Sequence, residues 1–424
     1  MMLLSTRIKQ IGCLNFVYNN WADVQKFSEI DSGPLPLLRT LDIHLTEESD
    51  LESSDTMTPP SLPHFSNATH LKELFFYSDT KRSPFINPFI FPNLVSLVFS
   101  ALPSEGFHAS PLLEFLEASP MLRTIYIRII ADLSLEEVHR GRVVILPNVE
   151  TFNLGVTNGG LMYKLAAHIS CPSARYTKLV QEYDDPEQAF CTSDLWNAII
   201  CQYTRSSVEE VTLETRTTPI FTSKLTFRSP DTAIIELNYS IDLGDGDEDE
   251  FELDLRTAGA VADTFTQAIR VIENHPRVAS VKHLNICHGF HFSIYTHNYI
   301  PYLANEARRL FMPLGPLDEL TIYRCDIRPY FHSFLDIPQG DITERIPFPL
   351  IKQLTISQPL HWQDEECTVG FIELAKSQHA LGIPFERVII CREDMPMGME
   401  EGLRPWVGSV EHRNDPLHGQ WSGI

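Results

Sequence analysis

The stretch Phe348–Ser357 reads FPLIKQLTIS, with apolar residues at Ile351, Leu354 and Ile356 and polar residues between them. Successive side chains of a strand point to opposite faces. Leu354 and Ile356 therefore share one face, and Gln353, Thr355 and Ser357 share the other. Taken alone, the stretch predicts a half-buried strand. The same frame, apolar-x-x-apolar-x-apolar, recurs along the chain, and that recurrence decides the fold.

The frame fits Ile11-Leu14-Phe16, Leu38-Leu41-Ile43, Leu71-Leu74-Phe76, Leu94-Leu97-Phe99, Leu122-Ile125-Ile127 and Val149-Phe152-Leu154. It fits again at Val208-Val211-Leu213, Val281-Leu284-Ile286, Leu317-Leu320-Ile322 and Phe385-Val388-Ile390, with a degraded copy at Ala174-Thr177-Leu179. Successive first positions lie 27, 33, 23, 28, 27, 25, 34, 73, 36, 34 and 34 residues apart. A step of that size holds a short strand and a returning helix or loop. The step of 73 is about two such units, so the segment between Val208 and Val281 carries an insertion or an eroded copy.

Two α/β architectures share this period. A βα-barrel or doubly wound sheet buries both strand faces and needs continuous apolar strands. Here VEEVTLET, LDELTIYR and IKQLTISQ alternate. Alternation suits a leucine-rich-repeat solenoid, whose parallel sheet packs one face on helices and leaves the concave face open. The chain is read as one such solenoid over 1–424, with a β-excursion at 215–256 and a cap and tail at 392–424. Within the excursion, KLTFRS, TAIIELNYSIDL and FELDL read as strands and GDGDEDE as a turn. SPLLEFLEASP places Ser110 and Pro111 at a helix start, with Leu112, Leu113 and Leu116 on one face. TSDLWNAIICQY, TAGAVADTFTQAIRVIENHP, YLANEARRLF and TVGFIELAKSQHALGIP also carry helical periodicity. Several frames start just after proline, which limits helix extension and sets the start of the strand.

The 424 residues are 43% hydrophobic and 21% charged, enough for a core and unlike a disordered chain. Against 33 Lys and Arg stand 56 Asp and Glu, a net charge of −23 that disfavours nucleic acid and anionic membranes and suits a basic partner. The eight cysteines are scattered without a C-x-x-C pair, and no apolar run reaches the length of a membrane span. The expectation is a reduced intracellular protein, cytoplasmic or nuclear, with the sequons at Asn67 and Asn238 unused.

GPLPLLRTLDIHL, FPNLVSLVFS and the tail ELAKSQHALGIPFERVII…MEEGLRPWVGSVE resemble the repeat region of fungal F-box/leucine-rich-repeat proteins. The resemblance covers nearly the whole chain. It implies a solenoid that recognises substrates within the ubiquitin pathway. The F-box pattern itself is not found: the chain opens on Ile11-Leu14-Phe16, and NNWADVQKFSEI follows that frame. Docking to the ubiquitin-ligase adaptor is therefore not expected of these residues.

Motifs for chemistry are few. There is no P-loop, G-x-G-x-x-G, G-x-S-x-G or H-E-x-x-H in the sequence. Asp245, Asp247 and Asp249 alternate as in a calcium loop, but Glu250 stands where glycine is required and Arg256 at the twelfth position. That segment reads as a solvated turn and a contact for basic partners. His283, Cys287, His288, His291 and His297 cluster without a second ligand set, so hydrogen-bonded loop histidines are expected and no metal or cofactor. Trp406, after the last frame, reads as part of a cap.

Positions flanking the second apolar residue of each frame line the concave face. Phe75, Tyr77, Tyr126 and Arg128 fall within three frames, a composition found in binding hot spots. With Asp42, Glu210, Glu214 and Tyr323 they form the candidate partner-binding set. A non-catalytic interaction scaffold is the leading reading. An enzyme using acidic and His groups of the middle insertion and a non-functional truncated relative are the alternatives.

Overall fold

In the computed structural model, six of the frames open with the same tight turn, those that begin at Leu71, Leu94, Leu122, Val149, Ala174 and Val281. The fourth N–H of the turn donates to its first carbonyl: Leu71 to Ala68 (3.0 Å), Leu94 to Phe91 (3.0 Å), Leu122 to Ser119 (3.3 Å) and Ala174 to Cys171 (3.1 Å). Pro92, Pro120 and Pro172 occupy the second position of such turns, where a φ near −65° is required. From the third position, Asn93 Nδ2 donates to Thr69 O (2.7 Å) and Asn148 Nδ2 to Pro120 O (3.0 Å), tying one turn to the preceding one.

After the turn, two consecutive N–H groups donate to a single carbonyl of the preceding frame. Lys72 and Glu73 share Arg39 O (2.8 and 3.0 Å), Val95 and Ser96 share Lys72 O (2.8 and 2.9 Å), and Glu150 and Thr151 share Arg123 O (2.8 and 3.0 Å). The pattern continues at Lys282 and His283, which share Glu209 O (2.7 and 3.0 Å), and at Asp318 and Glu319, which share Lys282 O (2.8 and 3.0 Å). This bend explains the frame. Its first apolar residue precedes the bend and the other two follow it, so all three enter one interior despite their odd spacing.

The structure describes residues 12–18, 37–45, 68–78, 91–102, 109–129, 143–156, 165–183, 207–218, 220–230, 234–242, 266, 268–288, 307–323, 350–357, 365–391, 396 and 398–413. The chain is α/β, with large, mostly parallel sheet and few helices. It divides into two units: Met1–Cys191 with Ala198–Tyr203, and Thr192–Asn197 with Thr204–Ile424. Each carries its own run of frames.

In the first unit the strands are β1 (Cys13–Tyr18), β2 (Thr40–Leu45), β3 (Glu73–Ser78), β4 (Ser96–Ala101), β5 (Thr124–Ile129), β7 (Thr151–Val156) and β9 (Tyr176–Tyr183), each parallel to the next. The short β6 (Val144–Ile145) pairs with β8 (Ile169–Ser170) in a separate two-stranded sheet. Helix α1 (Ala109–Glu117) buries Ala109, Leu112, Leu113, Phe115 and Leu116, and begins one residue before Ser110. The eroded frame is real: Thr177 and Leu179 of β9 point inward and are buried. Alternation is clear here, as in β4, where Leu97, Phe99 and Ala101 are buried and Ser96, Val98 and Ser100 half-buried.

The second unit joins β10 (Glu210–Thr218), β13 (His283–His288), β14 (Leu317–Tyr323), β15 (Ile351–Ser357), β16 (Arg387–Cys391) and β17 (Val410–Arg413) in parallel. The long step between Val208 and Val281 holds an antiparallel excursion, β11 (Ile220–Arg228) and β12 (Ile234–Asp242), with β11 paired to β10. KLTFRS and TAIIELNYSIDL thus fall on strands. FELDL and GDGDEDE, like TSDLWNAIICQY, lie outside the described residues. Helical residues 268–273 and 307–311 and helix α2 (Glu365–Ala380) supply inward faces, including Ile269, Ile272, Leu310, Phe311, Phe371 and Leu374.

Helix α2 ends at Gly382, whose φ of 77° is left-handed. Its N–H donates to His379 O and the Ile383 N–H to Gln378 O (3.0 and 3.1 Å), closing the last turn. Gly315 is required for another reason: a Cβ there would meet Ala279 O at 2.5 Å. The segment 392–424, expected as cap and tail, contributes α3 (Met399–Leu403) and the strand β17, which the sequence reading did not include. Trp406 lies against this end, edge-on to His379 at 5.6 Å between ring centroids, with Lys376 Nζ 5.9 Å from its ring.

The second unit departs from the expected open face. In β15, Leu354, Thr355, Ile356 and Ser357 are all buried, and Thr355 is 4% exposed. Thr212, Glu214, Cys287, Thr321 and Tyr323 are buried at matching positions. Alternating polarity there reflects a hydrogen-bonded polar layer and not solvent. Leu354→Ala is expected to cost about 2–5 kcal/mol as a core truncation. Thr355→Ala, which the alternation alone would make nearly neutral, should cost about 1 kcal/mol, because its buried Oγ1 donates to Glu319 Oε1 at 3.1 Å. Urea unfolding of both variants checks the order; a neutral Thr355→Ala would contradict the buried layer.

Candidate functional site

The open face of the first unit is set by strand register. The bend orients each strand so that its second, fourth and sixth residues point inward, leaving the first, third and fifth outward. Parallel pairing without slippage lines these residues up across strands. One row runs Asn15, Asp42, Phe75, Val98, Tyr126, Asn153 and Lys178. The row beside it runs Val17, His44, Tyr77, Ser100, Arg128, Gly155 and Val180. On the other side lie Thr40, Glu73, Ser96, Thr124 and Thr151.

Five of the residues predicted to bind a partner, Asp42, Phe75, Tyr77, Tyr126 and Arg128, therefore lie together on this face. Phe75, Val98 and Tyr126 form an apolar stripe across β3, β4 and β5, and Tyr126 is 37% exposed while Phe75 is half-buried. Tyr77, also half-buried, stacks on His44 with centroids 4.5 Å apart and planes 22° apart. His44 Nε2 lies 3.0 Å from Asp42 Oδ1, at an angle that makes no hydrogen bond, while Asp42 Oδ2 accepts from Asn15 Nδ2 at 3.0 Å. Glu73 Oε2 accepts from Thr40 Oγ1 at 3.1 Å. Arg128 stands on the neighbouring row, with Gly155 paired beside it on β7.

Sequence reasoning missed three contributors. His44 is the ring that orders Tyr77, and its signal was present, since it aligns with Tyr77 in the frame. Val98 links the two aromatics and looked too ordinary to select. Lys178 belongs to the eroded frame, whose weak apolar pattern hid its place in the row.

Glu210, Glu214 and Tyr323 belong to the second unit and to a different environment. Glu210 is half-buried, with its Oε1 accepting from Asn285 Nδ2 at 2.9 Å and its Oε2 3.3 Å from Arg228 Nη1. The expectation that Glu214 and Tyr323 face an open surface is corrected: they are 3% and 4% exposed. Glu319 gathers the same layer, accepting from Gln353 Nε2 at 2.7 Å and from Thr355 Oγ1, with His283 Nδ1 at 3.8 Å. These contacts knit β10, β13, β14 and β15 together and leave the layer's polar groups turned on one another.

Of the residues suspected of metal chemistry, Asp245, Asp247, Asp249, His291 and His297 lie outside the described residues. Among the described residues no three His, Cys, Asp or Glu side chains are grouped to hold a metal ion. Cys13, Cys171 and Cys287 are free thiols, and burial pushes Cys171 up to about 12, which suppresses its thiolate. No described helix is long and apolar enough to cross a membrane. No protein-family model matches the chain, and no curated protein matches it.

One titratable group of the second unit is strongly perturbed. His275 opens the turn that precedes β13 and is buried. Its ring stacks on Phe227 with centroids 5.4 Å apart, and Nδ1 accepts the Arg277 backbone N–H at 3.2 Å. Burial, and secondarily the Arg277 charge, lower its pKa to about 4. Between that value and the unfolded value near 6.5, the unfolded chain binds the extra proton, so stability is lost as pH falls through this window. The loss should be about 2 kcal/mol at pH 5 relative to pH 7.5. His275→Phe is expected to remove that component in paired urea titrations, and parallel losses in both proteins would refute the assignment.

Proposed function

We propose that the chain is a leucine-rich-repeat solenoid and serves as a non-catalytic protein-interaction scaffold, with the open face of its first unit as the binding surface. The observation that carries this reading is the Phe75–Val98–Tyr126 stripe beside stacked Tyr77 and His44. Aromatic residues hold large contact area in few rotatable bonds, and they dominate interface energetics. A rigid parallel sheet supplies the preorganisation that lowers the entropic cost of association. The repeated inward frame, the recurring turn and the helical returns support the leucine-rich-repeat reading. The resemblance to fungal F-box/leucine-rich-repeat proteins adds a setting, recognition of substrates in the ubiquitin pathway. The proposed partner is a protein; the ligase adaptor is not proposed to bind this surface.

The test combines mapping and affinity. A photo-crosslinking residue at position 98 should capture the partner, whereas the same residue at exposed position 117 of α1 should not. Tyr77→Ala with Tyr126→Ala should weaken binding by about 2 kcal/mol or more, roughly 30-fold, with the thermal transition retained. Unchanged affinity in the folded double variant would remove this face as the binding surface.

A further inference from the structure

The row that carries the aromatic stripe also carries an ordered change of charge. Read across the strands from β2 to β9, it runs Asp42, Phe75, Val98, Tyr126, Asn153, Lys178. Glu73 lies one strand from Asp42 on β3, and Arg128 lies on β5 beside Tyr126, two strands from Lys178. The two charged ends are thus separated by aromatic and aliphatic side chains. Five strand spacings of about 4.8 Å put them roughly 24 Å apart. That distance equals about seven residues of extended chain.

We infer that this face takes an extended peptide segment lying across the strands, with a basic residue at one end, apolar residues in the middle and an acidic residue at the other. The inference rests on the proposed binding role of this face and gives the partner its chemistry. Several physical points lead to it. The stripe offers continuous apolar contact only along the row, because the flanking Thr40, Ser96, Thr124 and Thr151 are polar and Ser100 interrupts the row beside it. A segment running along β3 would cover Phe75 and Tyr77 but leave Val98 and Tyr126 wet. Opposite charges at the two ends reject a uniformly basic or uniformly acidic segment, since each would set one like charge against the surface. The chain's net charge of −23 by itself would favour a uniformly basic partner, and only the local arrangement argues for a bipolar one.

The experiment is selection from a displayed library of random octapeptides on the full chain, followed by affinity measurement with the recovered peptides made synthetically. The expected sequences carry one basic and one acidic residue on opposite sides of two or more apolar residues. Asp42→Lys and Lys178→Glu should each weaken the best peptide at least about fivefold. Replacing its basic residue by glutamate should cost a similar factor on the unaltered chain and recover on the Asp42→Lys variant. Peptides with an apolar centre and no charge order, lost on Tyr77→Ala with Tyr126→Ala, would overturn this inference and leave the binding face intact. Peptides indifferent to the tyrosine variants would reject both. Recovery of no peptide would reject a linear segment as the occupant.

Discussion

One backbone interaction recurs through both units: a carbonyl oxygen just before a strand that accepts two N–H groups from the next frame. Arg39, Lys72, Val95, Arg123 and Glu150 provide such carbonyls in the first unit, and Glu209 and Lys282 in the second. A carbonyl has two lone pairs, so the arrangement satisfies two donors without a second acceptor. It also fixes register, because a slip of one residue would send every inward leucine to the other face. Core burial then follows. Leu71, Leu94, Leu97, Phe99, Ile125, Phe152 and Leu154 are all essentially inaccessible to water, each contributing on the order of 1.5–3 kcal/mol of transfer free energy.

Given that register, outward residues form rows whose content is free to vary. The two units use this freedom differently. In the first, β3, β4 and β5 keep their outward residues partly exposed and place aromatic side chains in line. In the second, the corresponding rows form a polar layer in which buried Thr212 and Thr355 and half-buried Glu210, Asn285, Glu319 and Gln353 hydrogen-bond to one another. A buried polar layer of this kind is costly unless its members are paired, which makes it an internal support and a poor free surface. The first unit is therefore where a partner has apolar area to gain.

The frame itself was legible in the residues. Every frame position whose burial is described is buried except half-buried Ala174, and the buried set includes Val208-Val211-Leu213 across the long step and Thr177 and Leu179 of the worn copy. Strand entry after proline was legible too, since the imino ring restricts φ whatever the surroundings. The grouping of Phe75, Tyr77 and Tyr126 followed from aligning frames, because parallel pairing keeps equal positions adjacent. Less was legible where a signal depends on neighbours. The alternating strands TLET, LTIY and LTIS look half-exposed in every frame, yet Thr212, Tyr323 and Thr355 are buried, as polarity reports hydrogen-bonding capacity and not solvent. The strand Val410–Arg413 went unread because its charged residues carry no apolar period.

The amino-acid sequence by itself determined the repeating unit, the positions that enter the core and the strand entries that follow proline, since these depend on local spacing and on the restricted φ of proline. Only the tertiary structure decided which outward rows remain open, how His44 and Asp42 surround Tyr77, and that Lys178 joins Asp42 in one row with the aromatics between them. Such features join residues 23 or more positions apart on neighbouring strands, and the distance between them is set by strand register, a property of the paired sheet that no single frame contains.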